Sequence, residues 1–134
     1  MELLRNVLVR MSDGVRVALD VYLPAGAGSF PTVFYWGPYR KDDFYLGGGA
    51  GVGLPPKYVD RGFAYVLADA RGTNDSEGES RIMWDIREQR DGYEVVEWIA
   101  RQPRCNGNVG MTGTSYGFFT SLLTAAQNPP QLAK

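Results

Sequence analysis

The run Thr32-Val33-Phe34-Tyr35-Trp36 constrains the fold more than any other stretch of this chain, because it contains no polar alternation. A strand with one face in water alternates apolar and polar side chains with period two, so an unbroken apolar run suits a strand covered on both faces. Phe63 to Ala68 repeats the pattern and ends at Asp69. Strands covered on both faces belong to parallel sheets, whose crossover helices supply the cover.

The remaining elements fit that frame. Val7, Val9 and Met11 alternate with Leu8 and Arg10, Ser12-Asp13-Gly14 has turn chemistry, and Val15, Val17, Leu19 and Val21 alternate again, which predicts an antiparallel hairpin. After a Gly- and Pro-rich loop and the first buried strand, the chain is irregular to Gly53. A short helix is then expected from Pro56 to Arg61, closed by Gly62. Asp85 to Gln102 carries Tyr93, Val96, Ile99 and Ala100 at helical spacing before Pro103, although Gly92 inside it disfavours a helix. Asn108 to Gly113 reads as a short strand. Tyr116 to Gln127 is almost wholly apolar or small and stops at Asn128-Pro129-Pro130, so it is expected to be a buried helix. A hairpin followed by βαβαβα predicts the leading half of a doubly wound α/β sheet, with residues 1–134 in one domain.

Charge and composition narrow the partners. Fourteen basic against fifteen acidic residues, a net charge of -1 and the lack of a basic run give no footprint for nucleic acid or an anionic membrane. Hydrophobic residues at 44% and charged residues at 22% are ordinary for a globular chain and argue against a membrane span. Cys105 is the sole cysteine, which excludes an internal disulfide and leaves no second thiol for a metal cluster. The glycine run from Gly47 to Gly53 fits no G-x-G-x-x-G register, and Leu54-Pro55-Pro56-Lys57 is not a Walker ending, so no nucleotide cofactor is expected. Charge interrupts Met1-Glu2-Leu3-Leu4-Arg5-Asn6 at once, leaving no room for a secretory apolar segment; a cytoplasmic location is expected.

Gly113-Thr114-Ser115-Tyr116-Gly117 is where the chemistry concentrates. Seventeen glycines and six serines give about 0.1 accidental Gly-x-Ser-x-Gly matches, so the setting carries more weight than the pattern. Ser115 falls between a predicted strand and a predicted helix, in the tight turn that lifts a serine hydroxyl above the sheet of an α/β-hydrolase. On residue pattern alone, Thr114-Ser115 also suits a simple helix cap. Gly37-Pro38-Tyr39 follows the first buried strand, where a hydroxyl or N–H would stand beside that turn. A tyrosine packed beside a proline turn fits those residues equally. Asp69-Ala70-Arg71-Gly72 is read as an ion pair fixing the loop before Ser76-Glu77-Gly78, and Cys105 as packing.

Five blocks, Met11-Ser12-Asp13-Gly14-Val15-Arg16, Gly37-Pro38-Tyr39-Arg40-Lys41, Asp69-Ala70-Arg71-Gly72, Ser76-Glu77-Gly78 and Cys105-Asn106-Gly107-Asn108-Val109-Gly110-Met111-Thr112-Gly113-Thr114-Ser115-Tyr116, resemble the cocaine esterase and X-Pro dipeptidyl-peptidase family. The resemblance covers nearly the whole chain and implies the N-terminal portion of an α/β-hydrolase sheet, lacking its C-terminal strands. It implies Ser115 as nucleophile, the Tyr39 hydroxyl and the Tyr116 backbone N–H as oxyanion donors, and no metal or cofactor. The substrate it implies is a small ester or a short peptide amide. Two positions depart from the family pattern: Gly117 follows Tyr116 directly where Ser-Tyr-x-Gly is usual, and Arg104 stands where an aromatic residue often precedes Cys-Asn-Gly.

The chain contains no histidine. In α/β-hydrolases the acid and the histidine follow the nucleophile along the chain. The expectation is therefore the leading part of a longer serine hydrolase, nearly inactive alone, whose last strand has a bare outer edge that the remaining part or self-association must cover. The competing expectation is an inactive α/β-hydrolase-like binding module that has dispensed with acid and base.

Overall fold

The structure, a computed structural model, describes residues 1–44 and 54–133; the glycine run 47–53 lies outside the described residues. Strands β1 (Glu2–Arg10), β2 (Arg16–Leu23), β3 (Phe30–Gly37), β4 (Ala64–Asp69) and β5 (Cys105–Met111) form a sheet in the order β1-β2-β4-β3-β5. Helices α1 (Pro55–Val59), α2 (Ile86–Ala100) and α3 (Tyr116–Ala126) follow β3, β4 and β5 in turn, with a 3-10 turn at Lys41–Phe44.

The apolar runs become the centre of the sheet. β3 pairs in parallel with both β4 and β5, and every residue of β4 is buried. The hairpin is antiparallel, and β2 also joins β4 antiparallel. One face packs Val17, Leu19, Phe34, Trp36 and Val66 against Val95, Val96 and Ile99 of α2. On the other, Tyr22, Tyr35, Tyr65 and Leu67 pack against Val59. Burying each such side chain is worth about 1.5–3 kcal/mol, so the two faces together dominate the folding energy. Asp85 caps α2, its Oδ1 accepting the Arg87 N–H at 2.9 Å. No described helix is long and apolar enough to cross a membrane.

Gly92 proves to be a contact point rather than a helix weakness. A Cβ there would overlap Thr124 Oγ1 of α3, and Thr124 is fully buried. Gly92→Ala should gain about 1 kcal/mol of helix propensity and lose about 1–3 kcal/mol to overpacking. A net fall in melting temperature is expected, recovered when Thr124→Ala is added; a rise from Gly92→Ala alone would contradict the close packing.

Two expectations need correction. α3 is not buried all round: Gly117, Thr120 and Thr124 are inside, while Phe118, Phe119 and Leu122 are exposed. Its composition calls for cover on every side, but α2 and β3 supply it on one. The outer edge of β5 is not wholly bare either. After the turn at Asn128-Pro129, the chain returns beside β5, where Val109 donates to Gln131 O at 3.1 Å and Ala133 donates to Val109 O at 2.8 Å.

Asp69 and Arg71 differ from their expected pairing too. They stabilise the loop through other partners and not through each other. Arg71 donates to both oxygens of buried Asp91 at 2.7 Å and reaches Asp13 of the hairpin turn at 2.7 Å. Its pKa is raised chiefly by the hydrogen bonds to Asp91, so the guanidinium is permanently charged. Asp69 instead accepts from the Lys41 N–H at 3.0 Å and from Asn74 Nδ2 at 3.2 Å. Ser76 joins the strands, donating to Asp69 O at 2.7 Å and accepting from the Ala18 N–H at 2.8 Å.

Candidate active site

The C-terminal ends of β3, β4 and β5 point the same way because the three strands are parallel. Loops leaving them therefore share one rim of the sheet, where α/β proteins place their ligand sites. Thr112 extends the ladder by donating to Phe34 O at 3.1 Å, and the chain then turns sharply into α3.

Ser115 sits at the apex of that turn with φ 56 and ψ -120. A positive φ with that ψ lies outside the small left-handed region open to L-residues, and such conformations cost about 1–3 kcal/mol. Backbone bonds on either side enforce it: Gly117 N–H donates to Thr114 O and Phe118 N–H to Ser115 O, both at 3.1 Å. A helix cap has no use for this geometry, and Ser115 makes no side-chain cap bond. Its Oγ is exposed and accepts from the Tyr39 hydroxyl at 3.0 Å.

The two flanking glycines have separate reasons. A Cβ at Gly113 would collide with the backbone of Gly117 and Phe118, and one at Gly117 would lie 2.6 Å from the ring of Tyr35, itself buried. The close approach of α3 to β3 thus explains why glycine directly follows Tyr116. The helix is held there by Thr120, whose hydroxyl donates to Trp36 O at 2.5 Å. Arg104 concerns a different place. It precedes β5 at the opposite end of the strand from Ser115 and donates to the carbonyls of Pro24, Gly26 and Gly28. Its departure from the family pattern shapes that loop, not the surroundings of the nucleophile turn.

Tyr116 opens α3, so its N–H has no acceptor within the helix. Its ring meets Tyr39 edge-on, with centroids 6.4 Å apart. Its hydroxyl donates to Glu88 Oε2 at 2.9 Å and accepts the Trp84 N–H at 3.2 Å. Burial first, then Glu88, pushes the Tyr116 phenol up to about 12, and burial likewise raises Glu88. Trp84, at φ 57, lays its ring against Tyr116 and Phe119 at 5.2 and 4.8 Å. The structure therefore brings Ser115, Tyr39 and Tyr116 together. The Trp84–Glu88 support behind Tyr116 is absent from the sequence blocks, its one local signal being an aromatic residue four positions before a glutamate at a helix start.

Chemically, the cluster offers a strained, exposed hydroxyl and a phenolic donor already directed at it. It offers no imidazole base, since the chain has no histidine. Cys105, half-buried at the start of β5, accepts from the Thr32 hydroxyl at 3.4 Å and stands away from this cluster, at the other end of its strand.

Comparison with known proteins agrees with this architecture. Residues 13–134 match the family X-Pro dipeptidyl-peptidase (S15 family). A candidate serine esterase of Mycobacterium bovis is 38% identical over 138 residues, spanning 90% of this chain and 22% of that protein. Cocaine esterase of Rhodococcus is 38% identical over 111 residues, covering 83% of this chain and 19% of its own length. A crystal structure of a CocE/NonD family hydrolase from Staphylococcus aureus superposes with a TM-score of 0.89 at 31% identity, over 97% of this chain and 26% of that one. The chain thus spans about a quarter or less of these relatives. With its mixed sheet, flanking helices and strand-turn-helix at Ser115, it is an N-terminal portion of an α/β-hydrolase and belongs to the X-Pro dipeptidyl-peptidase (S15) family of hydrolases.

Proposed function

We propose that this chain carries the nucleophile and oxyanion donors of a serine hydrolase acting on an acyl ester or amide. Ser115 Oγ attacks the carbonyl carbon and its proton passes to a base; the oxyanion is held by the Tyr39 hydroxyl and the Tyr116 N–H. Collapse expels the alcohol or amine with a proton, and water then releases the acid from the acyl-serine. The observation that carries this reading is the Tyr39–Ser115 hydrogen bond at 3.0 Å, formed across 76 positions of sequence onto a serine held in a strained turn.

The acid and the histidine come, in this proposal, from the part of the hydrolase that corresponds to the remaining three-quarters of the relatives, joined in one polypeptide or supplied separately. The exposed Phe118, Phe119 and Leu122 of α3 are consistent with such a neighbour. The small ester and peptide substrates implied by the names cocaine esterase and Xaa-Pro dipeptidyl-peptidase set the substrate class proposed here. The chain alone should turn over very slowly, since loss of the histidine in a comparable triad costs about a millionfold.

The competing reading, a binding module without catalysis, is favoured by the missing histidine alone. Fluorophosphonate labelling of the native protein, read by peptide mass spectrometry, separates the two. Covalent capture at Ser115, abolished by Ser115→Ala, is the expected result. A native protein that leaves Ser115 unlabelled is the binding module.

A further inference from the structure

We propose that Asp69 and Lys41 are positioning residues that hold the Tyr39 hydroxyl over Ser115. The proposal rests on the reading of Tyr39 as an oxyanion donor given above.

Tyr39 lies on the loop that leaves β3, and backbone atoms on both sides of it are fixed from the loop that leaves β4. Gly37 O accepts from the Ala70 N–H at 2.8 Å, and Pro38 O accepts from Asn74 Nδ2 at 3.0 Å. Lys41 N–H donates to Asp69 Oδ1 at 3.0 Å. Asn74 Nδ2 also reaches Asp69 Oδ1 at 3.2 Å, and Asp75 N–H approaches Asp69 Oδ2 at 3.4 Å, so one carboxylate gathers both loops.

The Lys41 side chain closes the arrangement from inside the protein. It is 1% exposed, with Nζ 2.7 Å from Asp75, 3.4 Å from Asp42, 3.6 Å from Asp20 and 3.9 Å from Asp69. Burial disfavours its charge, but the Asp75 hydrogen bond and the Asp20, Asp69 and Asp42 carboxylates outweigh this and raise its pKa. Replacing a buried ion cluster by apolar packing of the same volume is often neutral or stabilising, so in this proposal the cluster serves geometry rather than stability. Here the geometry it fixes is that of residues 37, 38 and 41, with Tyr39 between them. A hydrogen bond of 3.0 Å is lost if its donor moves by much more than half an ångström, so the tether matters for the hydroxyl at its centre.

The test uses the full chain with tyrosine labelled with carbon-13 at Cζ, read by NMR. Ser115→Ala defines the Tyr39 resonance when its hydrogen bond is gone. Asp69→Ala and Lys41→Met are each expected to move Tyr39 most of the way to that position, leaving the buried Tyr22 and Tyr65 resonances in place. A Tyr39 signal that stays at its wild-type position in folded Asp69→Ala overturns the proposal. If Asp69→Ala and Lys41→Met fail to fold, exposed Asn74→Ala decides: it removes the bond to Pro38 O, and a shifted Tyr39 supports the tether while an unmoved one overturns it. If Ser115→Ala itself leaves Tyr39 unmoved, the oxyanion reading falls and this proposal with it, an outcome distinct from failure of the tether alone.

Discussion

Asp91→Ala is expected to cost about 3–5 kcal/mol of folding stability, whereas Asp13→Ala, on the other side of the same guanidinium, should cost about 0–1 kcal/mol. The two carboxylates lie at the same 2.7 Å from Arg71 but differ in solvent: the Asp91 side chain is 2% exposed and that of Asp13 is 44%. Water screens the outer pair and replaces it when it is lost. At the inner pair, removal of Asp91 from α2 leaves the buried Arg71 cation of the β4 loop unpaired, and it cannot shed its proton because arginine does not titrate in proteins. Domains of this size are stable by only about 5–15 kcal/mol, so the inner substitution removes a large share of the total. Urea unfolding with a common m-value measures the difference. Arg71→Met combined with Asp91→Leu should recover most of the loss, since the penalty comes from the unpaired charge. Equal costs for Asp13→Ala and Asp91→Ala would mean that burial does not distinguish the pairs.

Arg71 also illustrates what sequence reading reaches and what it misses. The block Asp69-Ala70-Arg71-Gly72 marks a strand end with charges worth explaining, and adjacency suggests that the two charges pair. They do not, because Asp69 still belongs to β4 and turns to Lys41, 28 positions away, while Arg71 turns to Asp91, 20 positions away. Partner choice is set by what the fold brings beside each residue, the β3 loop for Asp69 and the buried face of α2 for Arg71. No local pattern encodes that, although the parallel pairing itself is legible in Thr32–Trp36 and Phe63–Ala68. Tyr39 is intermediate: its position after a buried strand places it at the correct rim, and the family blocks select it from the residues there.

The same distinction explains the errors at α3 and β5. Apolar residues on all sides of Tyr116–Gln127 state that the helix is to be covered, without stating by what; Phe118, Phe119 and Leu122 remain exposed in the described residues. Residues 131–133, which return beside Val109, are too few after Pro129-Pro130 to display strand alternation. Element boundaries moved for a related reason. Cys105-Asn106-Gly107 lacks apolar periodicity, yet it begins β5 because Phe30 of β3 pairs with Cys105. Glycine spacing around Ser115 was the most legible feature, since steric need acts within a few residues.

That steric need supplies the other large effect. Gly113→Ala is expected to destabilise the chain by about 3 kcal/mol or more, and to displace Ser115 and Tyr116 together. Its Cβ would meet backbone atoms of Gly117 and Phe118 at the first turn of α3, and backbone cannot rotate aside as a side chain can. Gly110→Ala, three residues earlier in the same segment, meets nothing within 4 Å and should be neutral or stabilising by up to about 1 kcal/mol. Thermal or urea melts of the two variants therefore separate a collision at the turn from a general cost of replacing glycine. Strain at the serine is tested in parallel. Ser115→Gly should be more stable than Ser115→Ala by about 1 kcal/mol, because glycine adopts φ 56 with ψ -120 without a Cβ penalty. Both variants remove the hydroxyl, so the comparison isolates backbone strain from chemistry. If Ser115→Ala proves as stable as Ser115→Gly, the turn stores no strain, and the hydroxyl is held in place by hydrogen bonding alone.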